Sequence, residues 1–113
     1  MTILEVDTRE GDGRVEIGLR GELDLSTVGK VQDVLERVEA GRPPLLVLDL
    51  SELSFLDSTG LRCVIGAAER ADEQRRRLVV VRGPEAVQRV FVITRLEERL
   101  EMVDDASALA SGG

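Results

Sequence analysis

Residues 2–7 (TILEVD) and 14–20 (RVEIGLR) alternate between apolar and polar side chains, with Val15, Ile17 and Leu19 on one face, the period of half-buried strands. Gly11-Asp12-Gly13 between them signals a hairpin turn. The period then changes. Val28, Val31, Leu35 and Val38 recur at spacings of three and four, predicting an amphipathic helix over 27–40, capped by Ser26 or Thr27 and stopped by Gly41, Pro43 and Pro44. Residues 45–50 (LLVLDL) and 78–81 (LVVV) are almost continuously apolar, as strands covered on both faces are, and belong at the centre of a sheet. Between them Leu61, Val64, Ile65 and Ala68 form the stripe of a second helix, with Arg62 and Glu69 outward, and the polar run 72–77 returns the chain to the sheet. Strand, helix, strand in this order predicts a right-handed parallel crossover. Pro84 opens a third helix with Val87, Val90 and Phe91 inward, ending near Thr94-Arg95. Residues 101–103 read as a short edge strand and 106–110 as a small alanine-rich helix. The predicted fold class is α/β, one domain over 1–113 with a mixed, mainly parallel central sheet, helices packed against it and a flexible tail at 111–113.

Composition narrows what such a domain can do. With 113 residues, 42% of them apolar and Phe55 and Phe91 the only aromatics, the expected core is aliphatic. The net charge of -7, without basic stripes, repels phosphate backbones, so no direct nucleic acid partner is expected and a protein partner is favoured. A single cysteine, Cys63, and no histidine rule out an intramolecular disulfide and disfavour a metal site. No run approaches the roughly 18 apolar residues of a membrane span, and residues 1–20 are charged and alternating rather than signal-like, so no membrane association and a cytoplasmic location are expected.

The chemistry concentrates in Asp57-Ser58-Thr59-Gly60, which follows a strand and opens a helix. The first N–H groups of a helix have no partner within it and carry partial positive charge, so a phosphate attached to Ser58 would be tolerated there. The competing reading is a plain helix cap. Serine nucleophile chemistry needs a base, and histidine is absent. Lys30, the only lysine, lies on the first helix and is expected to face water. Neither a G-x-S-x-G elbow nor a Gly-rich phosphate loop ending in Lys is present, so the chain is not expected to be an enzyme. Asp57 could cap the helix, orient the Ser58 hydroxyl or help hold a metal on a partner's nucleotide. Thr59, being β-branched, ranks second as phosphoacceptor. Gly60 permits a close approach, by the chain or by a partner, or serves turn geometry. Cys63 reads as a small semi-buried hydrophobe, and Arg75-Arg76-Arg77 as a solvated loop.

The strand 45–50, the link Ser51-Glu52-Leu53-Ser54-Phe55-Leu56 and Asp57-Ser58-Thr59-Gly60-Leu61 together resemble the core signature of STAS-domain proteins, specifically bacterial anti-sigma factor antagonists. Gly21-Glu22-Leu23-Asp24 and Leu78-Val79-Val80-Val81 with Gly83-Pro84 extend the resemblance to about residues 3–110. It implies a single STAS domain that, unphosphorylated, binds a kinase-type anti-sigma factor and frees the sigma factor. Phosphorylation of Ser58 by that kinase would end binding, and a protein phosphatase would restore it. ATP and magnesium would then belong to the partner, leaving no cofactor here. The implied partner surface is Asp24, Asp57, Ser58, Thr59, Gly60 and Arg62, Asp24 being equally readable as a turn carboxylate. The alternatives are a STAS scaffold or accessory subunit of a stress-signalling or lipid-transport complex without regulatory phosphorylation, and, from another class, a small nucleotide-binding or hydrolytic enzyme.

Overall fold

The alternating segments pair as a hairpin, β1 (Leu4–Gly11) antiparallel to β2 (Arg14–Leu23), in a computed structural model that describes residues 3–109. Thr2, Ala110 and the predicted tail at 111–113 lie outside the described residues. Both strands outrun their predicted ends because the connection is only Asp12-Gly13, with φ of 54° and 76°, the two left-handed residues of a type I′ turn. Next come α1 (Val28–Ala40), β3 (Leu45–Leu56), α2 (Ser58–Glu73), β4 (Arg77–Val81), α3 (Glu85–Ile93) and β5 (Met102–Val103). The sheet order is β1-β2-β3-β4-β5, every pair after the first being parallel. The α/β fold with a mainly parallel centre is as expected.

Two local expectations, for residues 51–56 and 106–110, are corrected. Residues 51–56, read as a link, are strand: β3 continues beside β2 with Arg20 opposite Glu52, Gly21 opposite Leu53 and Leu23 opposite Leu56. Two register shifts put extra residues into β3, so its inward Leu53 and Leu56 are three apart and the alternation is hidden. As expected, α1 stops at Gly41, its C-cap, which keeps a right-handed φ of -78° while Arg42, at 51°, is the left-handed residue. Residues 106–108 form a single 3-10 turn rather than the longer helix predicted over 106–110.

All three helices lie on one face of the sheet. Val31 and Leu35 of α1, Leu61 and Val64 of α2, and Val87 and Phe91 of α3 share a core with Ile17, Leu19, Leu46, Leu48, Leu50 and Val80. The buried stripe of α2 is shifted from the predicted one, since Cys63, Ala67 and Ala71 are buried while Ile65 and Ala68 are only partly so. Small side chains at these positions let the helix approach its neighbours closely. On the opposite face Leu109 covers Val47, Val79 and Val81, and beyond it the sheet presents polar side chains including Asp7, Glu16, Arg20, Asp49 and Glu52. The helices therefore begin where the parallel strands β2, β3 and β4 end, and that end of the sheet carries the loops of interest.

Candidate functional site

β3 ends at Leu56, and Asp57 continues in extended geometry (φ -101°, ψ -177°) before Ser58 takes the first position of α2. An extended N-cap aims its carboxylate at the helix's orphan N–H groups. Asp57 Oδ1 accepts the Gly60 N–H at 2.8 Å, while Oδ2 accepts the Leu25 N–H at 3.2 Å from the loop between β2 and α1. The Asp57 N–H donates to the Leu23 carbonyl at 3.2 Å. One residue thus stitches together two loops that lie far apart in sequence.

The β2–α1 loop has its own bracing. Asp24 Oδ1 accepts from the Ser26 N–H at 2.9 Å and the Ser26 hydroxyl at 2.7 Å. Thr27 is the N-cap of α1, yet its hydroxyl does not cap the helix; it donates to the Glu22 carbonyl at 2.8 Å and accepts the Asp24 N–H at 3.0 Å. Asp24 therefore acts as the turn carboxylate of a rigid loop, an interaction of the type that pulls Asp, Ser and Thr into turns. Gly60 is buried, and a Cβ there would fall within 2.7–2.9 Å of Leu56 Cδ1, Leu23 Cγ and the Leu23 carbonyl oxygen. Of the approaches its sequence context allowed, the close one is made by the chain itself.

Ser58 is exposed, Asp57 and Thr59 are partly buried, and Arg62 is exposed one turn further along α2. The first turn of α2 contains no acidic residue, so Asp57, outside the helix, is the only carboxylate adjoining the Ser58 position in sequence. The residues expected to act together, Asp57, Ser58, Thr59 and Gly60, form one turn, and the Leu23–Asp57 bond brings the Asp24 loop beside it.

Two residues of this region escaped the sequence reading. Leu25 is 75% exposed, on the loop whose N–H bonds Asp57, and Phe55 is 47% exposed, near the end of β3 three residues before the serine. Phe55 sits opposite Glu22 where β3 is bulged, and Ser54 beside it donates its hydroxyl to the Gly21 carbonyl at 2.9 Å. The available signal was Leu25 between Asp24 and Ser26, an apolar residue inside a turn and outside any helical or strand period.

Lys30 is exposed, as expected, and its ammonium donates to the Leu4 carbonyl at 2.8 Å, which ties α1 to β1 and removes it from Ser58 chemistry. Cys63 is buried rather than half-buried, and burial pushes its thiol pKa up, partly opposed by Arg70 and reinforced by Glu39. Among the described residues no group of three or more His, Cys, Asp or Glu side chains is placed to hold a metal ion. No helix among them is long and apolar enough to cross a membrane.

The STAS domain model matches residues 4–108. An anti-sigma-B factor antagonist of Listeria monocytogenes is 32% identical over 99 residues, covering 88% of this chain and 86% of that protein. The crystal structure of an anti-sigma factor antagonist from Mycobacterium paratuberculosis superposes with a TM-score of 0.88 at 24% identity, covering 98% of this chain and 96% of that one. The phosphorylated form of the Bacillus cell fate determinant SpoIIAA superposes with a TM-score of 0.72 at 20% identity, over 93% of this chain and 96% of that one.

Proposed function

Since the chain belongs to the STAS-domain family of anti-sigma factor antagonists, we propose that its unphosphorylated form binds a kinase-type anti-sigma factor and so releases a sigma factor, and that phosphorylation of Ser58 ends that binding. The observation that carries this reading is an exposed serine at the first position of a 16-residue helix, preceded by a residue that bonds the loop carrying the exposed Leu25. A related fold, that of SpoIIAA, has a phosphorylated form. The docking surface comprises Asp24, Asp57, Ser58, Thr59 and Arg62 with the exposed Leu25 and Phe55. Gly60 contributes from beneath by letting α2 start close to Leu23. The protein would work in the cytoplasm, where transcription takes place.

In the transfer step the Ser58 Oγ attacks the γ-phosphorus of ATP held with magnesium in the kinase. The Oγ–P bond forms, the bond from that phosphorus to the bridging oxygen breaks, ADP leaves, and the hydroxyl proton passes to a base of the kinase. This chain supplies the nucleophile and its orientation, and the partner supplies the rest. The product carries about 1.5 to 2 added negative charges on Ser58. A helix N-terminus accommodates that charge in the free protein, whereas a docked surface must strip its water. Hydrolysis by a protein phosphatase restores the hydroxyl.

The test uses the parent, Ser58→Ala and Ser58→Asp with ATP and the anti-sigma factor kinase of the same genome. Mass spectrometry should place the phosphate on Ser58. Calorimetry should show Ser58→Ala binding whatever the ATP level, and the phosphorylated parent binding at least about 30-fold more weakly, the equivalent of about 2 kcal/mol for an unpaired interfacial charge. Modification confined to Thr59, Ser54 or Ser26 with Ser58→Ala fully modified would sink the assignment. Tight binding by a parent that is never phosphorylated would favour the scaffold reading.

A further inference from the structure

Helix capping normally occupies one oxygen of a carboxylate. At Asp57 the second oxygen is also engaged, and its donor is the N–H of Leu25, the most exposed of the large apolar residues in the described chain. Neighbouring bonds hold the remainder of that loop: Asp24 Oδ1 to Ser26, the Thr27 hydroxyl to the Glu22 carbonyl, and the Leu23 carbonyl to the Asp57 N–H. An apolar side chain 75% exposed on a backbone held at both ends is pre-organised for contact, because little conformational freedom is left to lose on docking.

We propose that Asp57 is a positioning residue for docking: Oδ1 starts α2 at Ser58, and Oδ2 fixes Leu25 beside it as the apolar anchor of the partner surface. This deepens the function proposed above and rests on it. The occupant is the surface of the kinase-type anti-sigma factor that must reach Ser58 Oγ, since a protein that phosphorylates Ser58 covers the ground around it. Leu25 is tied to the residue preceding the phosphoacceptor by one hydrogen bond, so anchor and acceptor keep a fixed spacing. That spacing sets which partner can place its phosphoryl donor over the serine. Asp57 works through Leu25 and the helix start, and its two oxygens are already accepting from this chain's own backbone.

Asn separates the two arms, because an amide has one accepting oxygen and is as good a helix cap as Asp. In Asp57→Asn the oxygen keeps the Gly60 N–H and the NH2 group faces the Leu25 N–H, which it cannot bond. Amide hydrogen exchange on the protein alone should therefore quicken at Leu25 by about tenfold while Gly60 stays within about twofold, tenfold being the loss of one modest hydrogen bond. The melting temperature should stay close to the parent's. Against the anti-sigma factor kinase of the same genome, Leu25→Ala should weaken binding at least about 30-fold, the threshold of an interface hot spot. Asp57→Asn should weaken it by a smaller factor, and the double variant should bind no more weakly than Leu25→Ala. Such non-additivity is not produced by a carboxylate that merely stabilises the fold.

Unchanged exchange at Leu25 in Asp57→Asn overturns the tether. Independent, multiplying losses in the two single variants, or a Leu25→Ala variant that binds like the parent, overturn the docking role while leaving the Ser58 switch standing. A parent that does not bind the kinase overturns the function proposed above and the anchor with it, whatever the exchange data show.

Discussion

Gly60→Ala tests the packing under the phosphoacceptor more directly than any surface change. The added Cβ would sit 2.7 Å from Leu56 Cδ1, 2.8 Å from Leu23 Cγ and 2.9 Å from the Leu23 carbonyl oxygen, all below ordinary van der Waals separation. The two leucine side chains are buried in the core, and the carbonyl is held because it accepts the Asp57 N–H at 3.2 Å. Relief requires the first turn of α2 to move away from the end of β2, which stretches that bond. Overpacking of this kind costs about 1 to 3 kcal/mol, against a helix-propensity gain of at most about 1 kcal/mol for replacing Gly, which is smaller near a helix end. The net loss of about 1 to 2 kcal/mol should lower the melting temperature by roughly 4 to 16 °C in a domain of this size. Gly66 in the same helix is the control: its added Cβ meets no backbone or core atom, only Nη1 of the Arg70 side chain at 3.3 Å, which need give by a few tenths of an ångström while its Nε and Nη2 stay on Glu39. Gly66→Ala should gain up to about 1 kcal/mol from propensity and melt several degrees higher. Melting curves of both variants by far-UV circular dichroism decide the matter. If Gly60→Ala is as stable as the parent, or moves in the same direction as Gly66→Ala, the close approach of α2 to Leu23 is refuted.

Leu61→Asp, which places an unpaired carboxylate among Leu23, Leu56 and Val64, should cost several kcal/mol, a large part of a total of about 5 to 15 kcal/mol, and leave the chain unfolded or nearly so by calorimetry. Ser58→Asp, in contrast, should melt within about 2 °C of the parent, since an acidic group at a helix N-terminus is neutral to favourable and the site is exposed; a large loss would mean that the charge acts on the fold. For Cys63 the sign follows from the raised native pKa, because the folded state retains the neutral thiol where the unfolded state has begun to ionise. Its contribution is complete below the ordinary value of about 9.0 and is lost as pH rises above it, at up to about 1.4 kcal/mol per pH unit. Denaturant melts from pH 8 to 10.5 should show a shallower decline for Cys63→Ala, and alkylation of the native parent at pH 8 should be at least about tenfold slower than in denaturant. Rapid native alkylation would contradict the burial.

The hairpin, the three long helices and the apolar strands were legible because each rests on a local period or a short-range cap: Asp12-Gly13 at the turn, Asp57 before Ser58, Pro84 before α3. What was not legible depends on pairing between distant segments. Residues 51–56 lose their alternation to the bulge that places Ser54 between the pairs Gly21–Leu53 and Glu22–Phe55, so this strand has the pattern of a link. The burial of Cys63 in place of Ile65 depends on how closely α2 approaches its neighbours, and no period encodes that. Lys30 bonded to Leu4 and Asp57 bonded to Leu25 join residues 26 and 32 apart. The candidate serine was thus visible in the sequence, but its apolar surroundings were not.

The topology explains why the two loops meet. β2 and β3 are adjacent and parallel, and α1 and α2, which follow them, pack on the same face, so both loops leave the sheet at the same end and both helices direct their N-termini there. The partial positive charge of α2 bears on Ser58, and its first turn holds no carboxylate to oppose an added phosphate. Phosphorylation would take the net charge from -7 to about -9 without burying any of the addition in the free protein. A docked partner would have to desolvate that charge, and the exposed Leu25 and Phe55 side chains offer it no hydrogen bond. The free form and the complex therefore respond oppositely to one covalent change, and a ligand or modification shifts an equilibrium only through such a difference between states. On the function proposed above, an exposed serine on a stable helix start ends an interaction when phosphorylated because the added charge is solvated in the free protein and must be desolvated on docking, where Arg62, one turn along α2, is the cation nearest to it in sequence.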